Sequence, residues 1–142
     1  MKQLPAILPF ALIAMRVALG LSFLSAVADR FGLWGAPGAA NVAWGTFAAF
    51  LGYTATLMPF VPSGVIPAFG WAATILEIVL GIGLLTGLWL RWVALISAGL
   101  LLGFALAMTF SLGAEPAFSY SVWTAAAAAF LLACLSPEPA RK

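Results

Sequence analysis

Four apolar stretches, each long enough to cross a bilayer as one helix, take up most of this chain. They run over about 5–28, 66–88, 92–112 and 117–135. A crossing takes roughly 20 residues at about 1.5 Å each, and backbone polar groups inside lipid must be satisfied within the segment. The chain has 142 residues, so these stretches leave room for a single transmembrane domain over 1–142 and none for a soluble one. A β-barrel would need segments of about ten residues with alternating polarity, and none is present. The expected fold class is therefore all-α: a four-helix transmembrane bundle, with an interfacial or re-entrant short helix between the first and second spans.

Composition agrees. The chain is 65% hydrophobic and 7% charged, against about 45–50% and about 25% in soluble domains. Its six basic residues form no cluster, so the net charge of +2 is no nucleic-acid signal. There is no His and one Cys, which excludes His-ligated haem, His-based zinc sites and Cys-ligated clusters within the chain. No metal site is expected. Cys134, near the end of the last run, reads as a small buried hydrophobe.

A cytoplasmic N-terminus puts Lys2, Arg91, Arg141 and Lys142 inside and leaves Arg30, beside Asp29, outside. That is a positive-inside bias, with both termini cytoplasmic. Arg91, between Trp89 and Trp92, reads as an interface anchor. The first run is too long for a signal-peptide core and is interrupted by Arg16, so it reads as a retained span. Glu115-Pro116 reads as the turn that ends the third span.

The segment over 31–65 carries no charge and holds Trp34, Trp44, Phe47, Phe50, Tyr53 and Phe60. Asn41 is a candidate cap for a short helix in which Phe47, Phe50, Leu51, Thr54 and Leu57 share one face. An aromatic, chargeless helix of that kind suits the membrane interface.

Arg16 and Glu77 each fall near the centre of an apolar run. A charge at that depth costs roughly 2.5–3.5 kcal/mol even on lenient insertion scales, so opposite charges on consecutive antiparallel spans are expected to pair. Gly20 and Gly81, one turn beyond each charge, would clear space beside the pair. Either the pair fixes helix register or it forms a polar site for a quinone head group, a proton or another small ligand. Asp29 and Arg30 read as interface anchors or as an outer polar mouth. Thr74, Thr109, Tyr120, Ser121 and Thr124 read as local backbone or interface groups. No nucleophile–base arrangement is present, so no catalytic residue is assigned.

Helices in lipid associate through small residues that allow close approach. Gly83 with Gly87, and Gly99 with Gly103, make two GxxxG patterns. They serve either packing inside the bundle or a homo-oligomer. Ala14, Ala18 and Ser22 form a small stripe on the first span, and Ala125 to Ala129 another on the fourth.

The order of these features resembles the DoxX family of small bacterial membrane proteins. The matching pieces are the run from Arg16 to Leu24, the aromatic stretch from Phe47 to Leu51, and the run from Glu77 to Leu88 followed by Arg91. The resemblance implies a four-helix protein of the bacterial cytoplasmic (inner) membrane. It also implies a link to quinone-dependent redox or sulfur metabolism, alongside a redox partner subunit. One departure is visible: the family's Gly-x-x-Lys near the end of the first helix is replaced by the stretch ending in Asp29-Arg30.

Three functions are compatible with these features: a membrane subunit of a quinone-linked redox system, a non-enzymatic scaffold or assembly factor, and a small homo-oligomeric transporter. The chain holds no redox centre of its own, so the first needs a partner that carries one.

Overall fold

Prolines open two of the long helices, where a missing backbone N–H costs nothing. Pro9 lies in the first turn of α1 (Leu8–Arg30) and Pro67 in the first turn of α3 (Ile66–Thr86). The other helices are α2 (Phe47–Leu57), α4 (Leu90–Leu112), α5 (Ala114–Ser119) and α6 (Val122–Leu135). The computed structural model describes residues 6–136, and there are no strands among them. Lys2, Arg141 and Lys142, on which the expected orientation leaned, lie outside the described residues.

Helices α1, α3 and α4 are long and apolar enough to cross a membrane. The expected fourth span is broken. Gly113 (φ 93°) ends α4, and Glu115 and Pro116 belong to the first turn of α5 instead of forming the turn themselves. Ser121, in the left-handed region at φ 57°, then separates α5 from α6. The 14 residues of α6 reach only about 21 Å, short of a hydrocarbon core of about 30 Å. Among the described residues there are thus three long apolar helices and two shorter apolar ones, α2 and α6.

Two helix pairs carry most of the packing, α1 with α3 and α4 with α6. The core joins Leu19 and Phe23 of α1, Leu80 and Leu84 of α3, Ala94 and Ala98 of α4, and Ala129, Leu132 and Ala133 of α6. Alanines on both sides let α4 and α6 approach closely, which is the close-packing role small residues play in lipid. Phe10, Ile13, Val79, Ile82, Ile96, Phe110 and Phe130 all point outward. So broad an apolar exterior suits lipid and would be a liability in water.

Helix α2 forms where the aromatic segment was expected to be helical. Phe50 and Thr54 are buried, and Phe47, Leu51 and Leu57 are half-buried on the same face. Its cap is Thr46, whose Oγ1 accepts from the Ala49 N–H at 3.2 Å. Asn41 does not cap it and sits in a left-handed turn at φ 63°. Phe47 packs on Trp71 of α3 with ring centroids 4.5 Å apart, and Ser111 Oγ of α4 donates to the Leu57 carbonyl at 2.7 Å. These contacts fix α2 across the end of the bundle where α1 finishes and α3 begins.

Candidate functional site

The register of α1 against α3 is set by the two glycines flagged in the sequence. A Cβ on Gly20 would sit 3.0 Å from the Gly81 carbonyl oxygen, and one on Gly81 would sit 3.0 Å from the Leu24 side chain. The two backbones therefore cross at this point. The glycines make room for the helix crossing, not for a charge pair beside them.

That crossing takes Arg16 away from Glu77. Arg16 lies level with the C-terminal turn of α3, where its Nε donates to the Leu84 carbonyl at 3.0 Å and its Nη2 to the Leu85 carbonyl at 3.1 Å. Its guanidinium lies against Gly87, which ends α3 in the left-handed conformation at φ 75°. The last carbonyls of a helix lack intrahelical partners and carry partial negative charge, so a cation there is favourable. Leu85 is eight residues from Glu77, about 12 Å along a helix. The expected Arg16–Glu77 pair does not form, because matching the span midpoints gave the wrong register.

Glu77 pairs with Arg30 instead. Arg30 Nη2 meets Glu77 Oε1 at 2.7 Å, and Arg30 Nη1 donates to Thr74 Oγ1 at 2.8 Å. The Thr74 hydroxyl in turn donates a hydrogen bond to the Gly70 carbonyl at 2.8 Å. Helical Cβ atoms tilt toward the N-terminus, so Arg30, at the last turn of α1, reaches back into the bundle toward the middle of α3. Its guanidinium stacks over Phe50 of α2, 3.8 Å from the ring centroid, and faces Trp44 at 5.4 Å. Arg30 and Glu77 are 2% and 1% exposed. The reading of Arg30 as an exposed interface anchor is thereby corrected.

Asp29 is 5% exposed and also turned inward. Its Oδ2 accepts the Trp44 backbone N–H at 2.7 Å, which ties the loop after α1 back onto the helix. Three buried polar atoms of this cluster have no hydrogen-bond partner among the described residues: Asp29 Oδ1, Arg30 Nε and Glu77 Oε2. Of the two carboxylates, Glu77 meets the guanidinium, whereas Asp29 is engaged with the loop backbone.

Beside Asp29 opens a cavity of about 680 Å³, lined by Ser22, Ser25, Asp29, Trp34, Asn41 and Trp44 among others. The volume matches that of small-molecule sites, although the depression is open to its surroundings along one side. Trp34 Nε1 donates to both the carbonyl and the hydroxyl of Ser25, at 3.1 Å each. The tryptophan is thereby tied to α1 at the edge of the cavity. Outside the three long helices, burial raises the Tyr53 phenol above its ordinary pKa, and Tyr120 adds to the shift. The phenol stays a neutral donor.

The four GxxxG glycines separate. Gly83 packs against Val93 of α4, and Gly87 against Arg16, so both serve the bundle. Gly99 and Gly103 have open space where a Cβ would go. Cys134 is exposed, contrary to its expected burial. Among the described residues no three His, Cys, Asp or Glu side chains gather as a metal site. Thr74 reads as a local backbone donor in the sequence and is in fact also the second acceptor for Arg30.

Among the described residues, fold and site together define an all-helical arrangement with three helices of membrane length and a buried polar cluster at the α1–α2–α3 junction. No protein-family model, curated protein or solved structure matches the chain.

Proposed function

We propose that this chain is a DoxX-like protein of the bacterial inner membrane that serves a quinone-linked redox system. It acts as a membrane subunit beside a partner that carries the redox centre. The observation that supports this reading most directly is the tryptophan-lined cavity with a buried carboxylate, Asp29, at its side. A flat ring with polar substituents matches such a site: indoles offer stacking surface, and the carboxylate, Ser22, Ser25 and Asn41 offer hydrogen bonds. The resemblance of the Arg16 and Glu77 runs to that family points the same way. Cytoplasmic termini follow from the charge bias.

The test is isolation of the protein in native lipid without detergent, followed by extraction and mass spectrometry. Quinone enriched over the surrounding membrane, or a co-isolated redox subunit, supports the proposal. Enrichment should fall when Ala26→Trp fills the cavity. A bare protein with quinone at the membrane's own level would overturn it.

A scaffold role is the second reading, and one observation favours it. Arg30 binds both Glu77 and Thr74 and so joins α1 to α3 directly. In that case Ala26→Trp leaves cellular function intact, whereas breaking the ion pair abolishes it.

A further inference from the structure

Arg16 stands at the other end of α1 from the polar cluster, and one edge of its guanidinium is unused. Nε and Nη2 are committed to the Leu84 and Leu85 carbonyls, whereas Nη1 donates to nothing among the described residues. Arg16 is half-buried. The enclosed polar atoms without partners all belong to the Arg30–Glu77–Asp29 cluster, so Nη1 has accessible surface on the outside of the bundle. The guanidinium lies against Gly87, at the turn between α3 and α4. Trp89 and Trp92 follow directly, 78% and 54% exposed, and exposed indoles collect at the headgroup level of a bilayer. Arg16 reaches that level from within α1 because a helical side chain slants toward the N-terminus.

No described acid neutralises this cation. Glu77 and Asp29 belong to the distant cluster, and Glu115 lies in α5, beyond the other end of α4. The α3 carbonyls offer only about half a charge. Arg91, four residues after Gly87, adds a second cation to the same end. A cation with an accessible, unused donor on an apolar exterior is costly unless an anion meets it. A phosphate oxygen is the acceptor that a bilayer supplies at this level. Ile13, about one turn before Arg16, and Leu88, beside Gly87, are exposed and give acyl chains an apolar surface. We propose that Arg16 holds the phosphate of an anionic phospholipid in the leaflet at the end where α1 begins. Nη1 donates a charge-assisted hydrogen bond to the phosphate, and the lipid closes the junction of α1 with the α3–α4 turn from outside. The site is separate from the cavity beside Asp29 and stands whether or not that cavity takes a quinone.

Two measurements on the full chain test this. In phosphatidylglycerol bilayers under phosphate-free buffer, the lipid is the only source of phosphorus. Carbon–phosphorus dipolar recoupling by solid-state NMR then reads which arginine Cζ lies beside it. Arg16 should show a phosphorus at about 4 Å, the spacing that a guanidinium–phosphate hydrogen bond imposes. Arg30, enclosed in the bundle, is the internal control and should show none. Absence of coupling at Arg16 overturns the proposal. Native mass spectrometry next compares phosphatidylglycerol with phosphatidylcholine of the same acyl chains. Wild type should hold the anionic lipid roughly fivefold tighter, because choline brings a cation of its own. Arg16→Met should lose most of that preference, and its thermal midpoint shows whether it is folded. Equal retention of the two lipids by wild type, or a preference that a folded Arg16→Met variant keeps, overturns the proposal. Should Arg16→Met unfold, the wild-type coupling at Arg16 decides.

Discussion

The guanidinium of Arg30 meets the carboxylate of Glu77 at 2.7 Å although the two residues begin at different levels of the bundle. Arg30 stands in the last turn of α1, and Glu77 stands past the middle of α3. The reach works because the side chain points back toward the helix N-terminus and because Phe50 and Trp44 wrap the guanidinium. An aromatic face near a desolvated cation is worth about 2 kcal/mol. Thr74 gives the second donor an acceptor, so the cation is held on two edges and one face.

Removing one partner of this pair should be far more damaging than removing both. Glu77→Leu leaves Arg30 charged, buried and facing Thr74 only, and should cost about 3–5 kcal/mol of stability. Arg30→Met with Glu77→Leu should recover much of that loss. Thermal unfolding in lipid nanodiscs measures both, and equal losses for single and double variants would contradict the pairing.

Charge reversal separates the two arginines. Arg30→Glu with Glu77→Arg should refold better than either single reversal, whereas Arg16→Glu with Glu77→Arg should do no better than the sum of its parts. Sites without shared contacts add to within about 0.3–0.5 kcal/mol, and contacting pairs couple by about 0.5–3 kcal/mol. A double-mutant cycle on unfolding free energy reads the difference.

Arg16 acts as a cap on α3. Arg16→Met strips the donors from the Leu84 and Leu85 carbonyls. An orphaned buried acceptor costs about 1–3 kcal/mol. Hydrogen–deuterium exchange should rise over residues 84–92 and stay unchanged around Glu77. Faster exchange at Glu77 as well would mean that the two polar centres are coupled.

Glycines in similar sequence patterns should differ sharply. Gly81→Leu would push into Leu24 and the backbone of Gly20, and should separate α1 from α3. Gly99→Ala and Gly103→Ala meet open space and should stabilise α4 by up to about 1 kcal/mol each through helix propensity. Crosslinking and thermal midpoints check the ranking. Loss of an oligomer on Gly103→Leu would show that the open face is an interface between copies.

The sequence by itself determined the class of object and much of its local structure. Apolar runs over about 66–88 and 92–112 read as helices, since in lipid every backbone group must find its partner within the run. The face of α2 was legible from its spacing, because helical periodicity is a local property. So was the presence of costly buried charge, which composition alone exposes. Tertiary structure decided which charges meet. The close approach at Gly20 and Gly81 fixed the α1–α3 register, which carries Arg16 eight residues past Glu77 to Leu85 and leaves Glu77 within side-chain reach of Arg30. It also decided that the last apolar stretch breaks at Ser121, because a left-handed residue there has no apolar signature. Register and reach depend on where two surfaces touch, and no single run of residues contains that information.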